Sequence, residues 1–334
     1  MFLSVFVDGS DGAAHPTPAM AADPILSLST CWCSGRHTDG YDMLKEIAGL
    51  GFQYAELSHG IRLSLVPGIL KAVEEGVIKI SSTHNFCPLP AGVSSPAPNL
   101  YQPSSPTAGE RALWKRHTLA SLDFAQRLKA PVLITHLGSV FFFLFDPASK
   151  VEALEDTLDI SFWRTDAKFQ EEVGKLLAKV RKGAEKHYER IQDCLADVTA
   201  RAQECGVKFG CENREGLLEL PLDEHMDAFL ASVDDLGVCG GWHDTGHACI
   251  KHLEGVIDHT EFLEKNHKRL LGFHLHDVSE EGKDHQPIGS GRVDWKMVRK
   301  YVRPDHRLII ELSPKLTVEQ VQESKAYIEK WLKE

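Results

Sequence analysis

Short apolar runs alternate with longer amphipathic segments from residue 24 onward. Eight of these runs have the length and composition of buried strands, and they occupy residues 25–30, 52–58, 77–83, 131–138, 206–213, 236–244, 270–277 and 307–313. Between them, apolar residues recur at spacings of three and four, which is typical of one face of a helix. Eight strands alternating with helices over about 310 residues predict an α/β fold, a (β/α)8 TIM barrel.

A doubly wound parallel sheet is the main alternative to the barrel. That fold places a glycine-rich turn after its first strand when it binds a nucleotide. The first strand here is followed by TCWCSGRHTDG, which does not match such a turn. The sequence therefore favours a single barrel domain over residues 24–334, preceded by a flexible N-terminal tail at residues 1–23.

Two insertions are expected, one after the third strand and one after the fourth. Residues 94–110 are rich in proline and serine and predict a loop. Residues 139–170 form a longer excursion with an apolar patch from Phe141 to Phe145. This patch is a candidate lid, a candidate contact in a homo-oligomer, or a packed part of the core.

Composition limits the classes of function. The chain has 334 residues with 43% hydrophobic and 25% charged positions, as in ordinary globular proteins. A net charge of −11 disfavours binding to phosphate backbones. No run approaches the roughly 20 apolar residues of a membrane span. The eight cysteines form no CxxC pair, so we expect free thiols and a cytoplasmic location.

Polar residues that can bind metals end or closely follow most of the later strands. In a TIM barrel these ends converge on the active site. The set comprises His84, His136, Glu212, Asp244, His247, His274, His276 and Glu311. Because alternate residues of a strand share a face, His274 and His276 point the same way, whereas His243 points away from Asp244.

Carboxylates and imidazoles without a set of thiolates suit Mn²⁺, Mg²⁺, Co²⁺ or Zn²⁺. Without a cation, several carboxylates at one mouth would repel one another. Each residue also has a structural interpretation: Asp244 could cap the next helix, and Glu212 could accept backbone hydrogen bonds. Four different strands each contribute a residue of a type that binds metals, and this favours a metal site over the structural interpretations.

Five motifs together resemble the xylose-isomerase-like TIM-barrel superfamily. This group includes sugar phosphate isomerases and epimerases, inosose dehydratases and barrel-type apurinic-site endonucleases. The resemblance covers most of residues 25–333, and its motifs are CENREG, HDTGHA, FHLHD, IGSGRVDW and IIELS, in that order along the chain.

The resemblance implies one divalent metal ion, with manganese favoured, bound by Glu212, Asp244, His274 and Glu311. His274 is preferred because it lies three residues before Asp277, and His276 stays open as the alternative. The implied reaction is isomerisation or epimerisation of a ketose, cyclitol or related polyol through an enediolate, with Glu212 and Glu311 as acid and base. Loss of a β-hydroxyl from the same enediolate would give an inosose-type dehydratase.

Further polar and aromatic residues near the mouth are candidate contacts for a small carbohydrate substrate. In the family, the second polar residue after the aspartate, here His247, is generally such a contact. The candidates are His247, His136, His84, His276, His285 and Trp32.

The alternative function is phosphodiester hydrolysis. The apurinic-site endonucleases bind three metals with extra histidines, and His84, His136, His247 and His285 fall near those positions. Their last histidine lies in an Asp-x-His pattern, whereas this chain has Lys283-Asp284-His285, and its acidic charge makes nucleic acid an unfavourable partner. A third hypothesis is a barrel that binds a sugar or a partner without catalysis.

Overall fold

A computed structural model describes residues 23–143 and 146–334 of the chain. Eight parallel strands pair in sequence order, and the first also pairs with the last, so the sheet closes into a barrel. The strands are β1 (Ile25–Ser29), β2 (Tyr54–Leu57), β3 (Lys79–His84), β4 (Val132–Thr135), β5 (Lys208–Glu212), β6 (Cys239–Asp244), β7 (Leu270–Leu275) and β8 (Arg307–Ile310). The predicted (β/α)8 barrel is confirmed, and the pairing of β1 with β8 excludes the open doubly wound sheet.

Helices surround this barrel, and the longest spans 39 residues between the fourth and fifth strands. The helices of the described residues are α1 (Gly40–Gly49), α2 (Val66–Glu74), α3 (Ala108–Leu128), α4 (Ser149–Glu155), α5 (Ile160–Trp163), α6 (Ala167–Cys205), α7 (Met226–Ser232), α8 (Thr245–Leu253), α9 (His259–Asn266), α10 (Trp295–Arg299) and α11 (Val318–Trp331). None of the helices in the part of the chain that the structure describes is long and apolar enough to cross a membrane.

Local sequence signals explain where several helices begin and end. The side chain of Asp39 accepts hydrogen bonds from the first backbone N–H groups of α1, and Thr317 forms a reciprocal capping box with Gln320 at the start of α11. Gly206 ends α6 with a φ of 66°, a left-handed conformation that suits glycine. These caps satisfy backbone groups that the helices themselves leave without partners.

An apolar cluster closes the barrel interior below its C-terminal mouth. Its fully enclosed members are Val132, Ile134, Trp242 and Ile309. Trp242 is 1% exposed and fits between strand neighbours that are glycines. A Cβ atom on Gly272 would lie 2.6 Å from the indole, and one on Gly210 would lie 3.1 Å from it. The two glycines therefore make the space that the indole fills.

The insertion after β4 contains α4 and α5. Its apolar patch is partly buried and partly exposed. Val140 is buried and Phe142 packs against the core, whereas the side chains of Phe141 and Phe143 are 55% and 84% exposed. The last two residues of the predicted patch, 144 and 145, lie outside the described residues, as do residues 1–22 of the predicted tail. A lid or oligomer contact at this insertion stays a prediction.

A buried aspartate fixes the loop that follows β7. Asp277 is fully buried, and its carboxylate accepts four hydrogen bonds at 2.9–3.0 Å, from the backbone N–H groups of Val278, Gly289 and Val293 and from the indole of Trp295. Its backbone also pairs with Gln286 in both directions. This network positions the loop residues beside the barrel mouth.

We expect Asp277→Asn to destabilise the protein by about 2–4 kcal/mol, because an amide NH₂ group cannot accept two of the four hydrogen bonds and leaves buried donors without partners. Chemical denaturation monitored by circular dichroism measures this free energy of unfolding. The matched control is Asp294→Asn in the same loop. Asp294 caps α10 through the N–H of Met297, and asparagine caps about as well, so a loss below about 0.5 kcal/mol is expected. Equal stability of wild type and Asp277→Asn would contradict the anchoring role.

Candidate active site

Four side chains at or just after the ends of β5, β6, β7 and β8 meet at the C-terminal mouth of the barrel. One ligand atom from each lies within 4.8 Å of the others, and the members of this quartet are Glu212, Asp244, His274 and Glu311. Asp244 and His274 are fully buried, while Glu311 is 5% exposed. Strand alternation explains the convergence: His274 shares the inward face with Gly272, and Asp244 shares it with Trp242.

The imidazole of His274 lies at the centre of the quartet. Its Nδ1 atom is 2.7 Å from Glu212 Oε1, 3.1 Å from Glu311 Oε2 and 3.8 Å from Asp244 Oδ2. One nitrogen therefore faces all three carboxylates. Burial alone would lower the pKa of His274, but the charges of Glu311 and the other nearby glutamates raise it well above its ordinary value.

Both ring nitrogens of His276 already have partners within the protein. Its Nε2 lies 2.9 Å from Asp244 Oδ1, and its Nδ1 accepts a hydrogen bond of 2.8 Å from the backbone N–H of His285. The atoms of His274, and not those of His276, join the three carboxylates within one ligand-sized cluster. This geometry favours His274 over His276 as the proposed metal ligand.

The donor set of the quartet fits a divalent cation. It offers three carboxylates and one imidazole, and the group contains no thiolate. Such oxygen-rich sites suit hard or borderline cations. The three carboxylates are also almost completely shielded from solvent, so a cation would offset their mutual repulsion.

Two residues beside Glu212 organise the site, and neither was among the residues predicted to do so. The guanidinium of Arg214 donates to Glu212 Oε2 at 3.0 Å and to Glu219 Oε1 at 3.2 Å. Burial raises the pKa of Glu212, but the charges of Arg214 and His274 outweigh it and hold the pKa well below its ordinary value. The amide of Asn213 pairs with both the N–H and the C=O of Asp244, at 2.8 and 3.1 Å. Both residues lie in the CENREG motif, and this position was the feature of the sequence that could have identified them.

Glu56 is a further buried carboxylate at the site, and it was not among the predicted site residues. It is fully buried in β2 and accepts hydrogen bonds from the hydroxyl groups of Ser29 at 2.9 Å and Ser82 at 2.8 Å. Its oxygens lie 3.2 and 3.3 Å from Nε2 of His274. The signal was a charged residue inside the apolar run FQYAELS.

A second group of potential ligands shares Glu212 with the quartet. It consists of His84, His136 and Glu212. Nε2 of His136 lies 2.9 Å and Nε2 of His84 lies 3.7 Å from Glu212 Oε2. The Nδ1 atoms of both histidines face other oxygens, those of Asn85 and Asn99. Both Nε2 atoms are thereby directed toward the mouth.

A third group contains only histidines, His247, His276 and His285. Nδ1 of His247 is 3.1 Å from the backbone oxygen of Asn213, which leaves Nε2 as its other polar atom. Glu215 and Asp284 also come within ligand distance of His247. All the predicted histidine contacts therefore lie around one mouth, and their roles with a substrate stay predictions.

The segment GGWHDTGHA combines a helix cap with a place in the quartet. Asp244 Oδ1 accepts a hydrogen bond of 2.8 Å from the N–H of His247, so the aspartate caps α8. Its Oδ2 atom faces His274. His243 points outward as strand alternation predicts, and its Nε2 lies 3.0 Å from Nε2 of His259 in the helix layer.

Trp32 lies near the mouth with little accessible surface. It is 1% exposed, its indole N–H donates to the backbone oxygen of Leu316 at 2.9 Å, and the guanidinium of Arg36 lies 4.1 Å from its ring centroid. These contacts leave little of the ring for stacking on a sugar. Its contact with a substrate stays a prediction.

The fold and the quartet define a (β/α)8 barrel with a carboxylate- and imidazole-lined site at the C-terminal mouth. A family model described as the xylose isomerase-like TIM barrel matches residues 44–331, and the chain belongs to this family. No curated protein sequence gives a significant match.

Solved structures of low sequence identity share the fold. A D-tagatose 3-epimerase-like protein is 16% identical, with a TM-score of 0.63 over 92% of this chain and 97% of its own. D-psicose 3-epimerase from Clostridium cellulolyticum H10 is 13% identical, with a TM-score of 0.61 over 92% and 99%. A 3-keto-D-glucoside 4-epimerase from E. coli is 11% identical, with a TM-score of 0.63 over 92% and 100%. At these identities the likeness shows the fold.

The buried environment of His247 predicts an unusual titration. Burial and the nearby charge of Arg214 lower its pKa to about 4, although Asp244 acts in the opposite direction. Because the folded-state pKa lies below the ordinary value of 6.5, this residue's contribution to stability is lost as the pH falls from 6.5 through about 4. NMR of ¹⁵N-histidine-labelled, metal-free protein should show His247 neutral down to near pH 4.

Replacement of the guanidinium by an uncharged side chain of similar length, Arg214→Met, should raise this pKa, since a repulsive charge is removed. His117 serves as the control, because its ring packs against Tyr101 rather than against the quartet and should titrate alike in both proteins. An ordinary titration of His247 near pH 6.5 in the wild type would contradict the expected effect of burial and of Arg214.

Proposed function

We propose that the protein is a divalent-metal-dependent isomerase or epimerase of a sugar or sugar-like polyol. The observation that carries this proposal is the buried quartet of Glu212, Asp244, His274 and Glu311 at the barrel mouth. Three carboxylates and one imidazole form a cation site where TIM-barrel enzymes carry out catalysis. Manganese is the favoured ion, and Mg²⁺, Co²⁺ and Zn²⁺ also suit these donors.

The two glutamates of the quartet are the proposed acid and base. A bound divalent ion would supply Lewis-acid polarisation of a substrate carbonyl. Glu212 ends β5 and Glu311 directly follows β8, two strands that are not adjacent, and both side chains approach Nδ1 of His274. This spacing would allow one glutamate to remove the proton beside the carbonyl and the other to return a proton from a different direction.

The histidines around the mouth are the proposed contacts for substrate hydroxyl groups. His247 presents Nε2 while its Nδ1 faces the backbone oxygen of Asn213. His84 and His136 direct Nε2 toward Glu212. Arg214 is paired with two glutamates, so its charge is already neutralised within the protein. This polar lining favours a hydroxyl-rich substrate over an apolar one.

The names of the structural neighbours support a substrate with a carbonyl group. One is named as similar to a tagatose epimerase, and two are named as epimerases of psicose and of a 3-keto-glucoside; in all three compounds a carbonyl lies beside a carbon bearing a hydroxyl. Proton exchange at such a carbon is the chemistry that a pair of glutamates can perform as base and acid. Dehydration of an inosose-like substrate would use the same first step.

We expect the Mn²⁺-loaded protein to exchange the α-proton of at least one member of a panel of ketoses, aldoses and inososes in D₂O. Proton NMR of the recovered sugars measures the exchange and identifies an epimer, an isomer or a dehydration product. Glu212→Gln and Glu311→Gln should each lower the exchange rate by about 100-fold or more, because a positioned acid or base is lost.

Metal removal is the control for this experiment. Chelation should abolish exchange and Mn²⁺ should restore it, while the metal content of each glutamine variant separates loss of the ion from loss of the proton donor. Full activity in both metal-loaded glutamine variants would contradict the assignment of the glutamates. Sugar binding without exchange by the loaded wild type would instead favour a binding protein.

Phosphodiester hydrolysis is a second candidate function because two further ligand groups flank the quartet. One is His84–His136–Glu212 and the other is His247–His276–His285. Three neighbouring cations would suit the cleavage of a phosphodiester such as an apurinic site. The net charge of −11 and the Lys283-Asp284-His285 sequence weigh against this alternative.

Metal stoichiometry should separate the two functions. We expect about one divalent ion per chain, measured by elemental analysis after dialysis against micromolar Mn²⁺ or Zn²⁺, and loss of that ion in Asp244→Ala and His274→Ala. A duplex with one abasic site should stay intact under the same conditions. About three ions per chain with cleavage of the duplex would reverse the order of the two candidates, and wild-type metal content in both alanine variants would contradict the ligand assignment.

A further inference from the structure

We infer that Glu56 is a positioning residue that holds the imidazole of His274 with Nδ1 turned toward the proposed metal ion. Glu56 belongs to β2, which contributes no member of the quartet. The inference rests on the proposed function, since it concerns the ion that the quartet would bind. Metal binding would then depend on β2 as well as on the strands that bear the quartet.

The two ring nitrogens of His274 face different carboxylates. Nδ1 faces the other three members of the quartet, and the shortest of these distances is 2.7 Å to Glu212. Nε2 lies 3.2 Å from Glu56 Oε1 and 3.3 Å from Oε2. An imidazole that donates Nε2–H to a carboxylate presents the lone pair of Nδ1 to a cation. The geometry thereby assigns Nδ1 as the ligand atom.

Glu56 is itself held in one orientation. The hydroxyl of Ser29 donates to Oε1 at 2.9 Å, and the hydroxyl of Ser82 donates to Oε2 at 2.8 Å. These serines come from β1 and β3, the strands on either side of β2. Each oxygen of the carboxylate therefore has its own donor, and the remaining directions face the histidine. A fully buried glutamate without such partners would be strongly unfavourable.

The surroundings of His274 restrict its ring in other directions as well. The ring of His84 lies parallel to it with centroids 6.0 Å apart, and Trp242 meets it edge-on at 5.3 Å. These contacts limit tilting, but they do not select which nitrogen faces the quartet. That selection requires a polar partner on one side, and Glu56 is placed to provide it.

A negative charge at this position has an effect beyond orientation. A carboxylate that accepts a hydrogen bond from the distal N–H makes the imidazole a stronger electron donor to a cation. Loss of such partners typically weakens metal affinity by about 10–100-fold. A purely structural Glu56 would instead affect the stability of the metal-free barrel and leave the affinity of the folded protein unchanged.

The test is Co²⁺ binding by metal-free full-length protein, measured by calorimetry and by the visible absorption of the bound ion. Glu56→Gln keeps the size and one acceptor but removes the charge. We expect about 10–100-fold weaker Co²⁺ binding and a changed visible spectrum, with thermal unfolding of the metal-free protein showing that the variant is folded. Ser82→Ala should weaken binding in the same direction by less, since one donor to Glu56 is lost.

Glu254→Gln is the matched control, because Glu254 is also a buried glutamate but lies at the end of α8 outside the quartet. Its Co²⁺ affinity and spectrum should equal those of the wild type. Wild-type affinity and spectrum in folded Glu56→Gln would overturn the inference and leave the proposed function standing. Should Glu56→Gln fail to fold, unchanged binding by Ser82→Ala would overturn it. A wild type that binds no Co²⁺ or Mn²⁺ would overturn both proposals.

Discussion

The concentration of buried negative charge at one end of the barrel is the constraint on which the rest of the site depends. Four carboxylates, those of Glu56, Glu212, Asp244 and Glu311, surround a single imidazole with almost no access to solvent. Carboxylates so close together are stable only when opposite charge or hydrogen-bond donors compensate them. Arg214, the serine hydroxyls and His274 provide part of that compensation, and a divalent cation would complete it.

The histidines around the mouth differ in how many of their ring nitrogens already have partners within the protein. This difference indicates which of them can bind a substrate or an ion. Both nitrogens of His276 are engaged within the protein, by Asp244 and by a backbone N–H. His247 uses Nδ1 toward Asn213 and keeps Nε2 for another partner. A polyol hydroxyl and a second cation would both suit such a nitrogen. The same rim is therefore compatible with sugar chemistry at one ion and with phosphodiester chemistry at several.

The fold was predictable because strand periodicity and order are local properties of the chain, and the quartet was predictable because its members lie at strand ends within known motifs. Glu56 was not, since its partner His274 is 218 residues away and their contact exists only once β2 and β7 belong to one closed barrel. The hydrogen bonds of Arg214 depend on loop conformation, which periodicity does not report. The apolar run from Phe141 likewise gave no indication that Phe142 would pack inward while Phe143 stayed exposed.

The indole of Trp242, fitted between two glycines, has a consequence for access to the quartet. With Val132, Ile134 and Ile309 it blocks the barrel axis directly beneath the quartet. An ion bound there could exchange with solvent only through the loop side, past His84, His136 and His247. The loop side of the barrel would then serve both as the route of the ion and as the route of the substrate to the quartet.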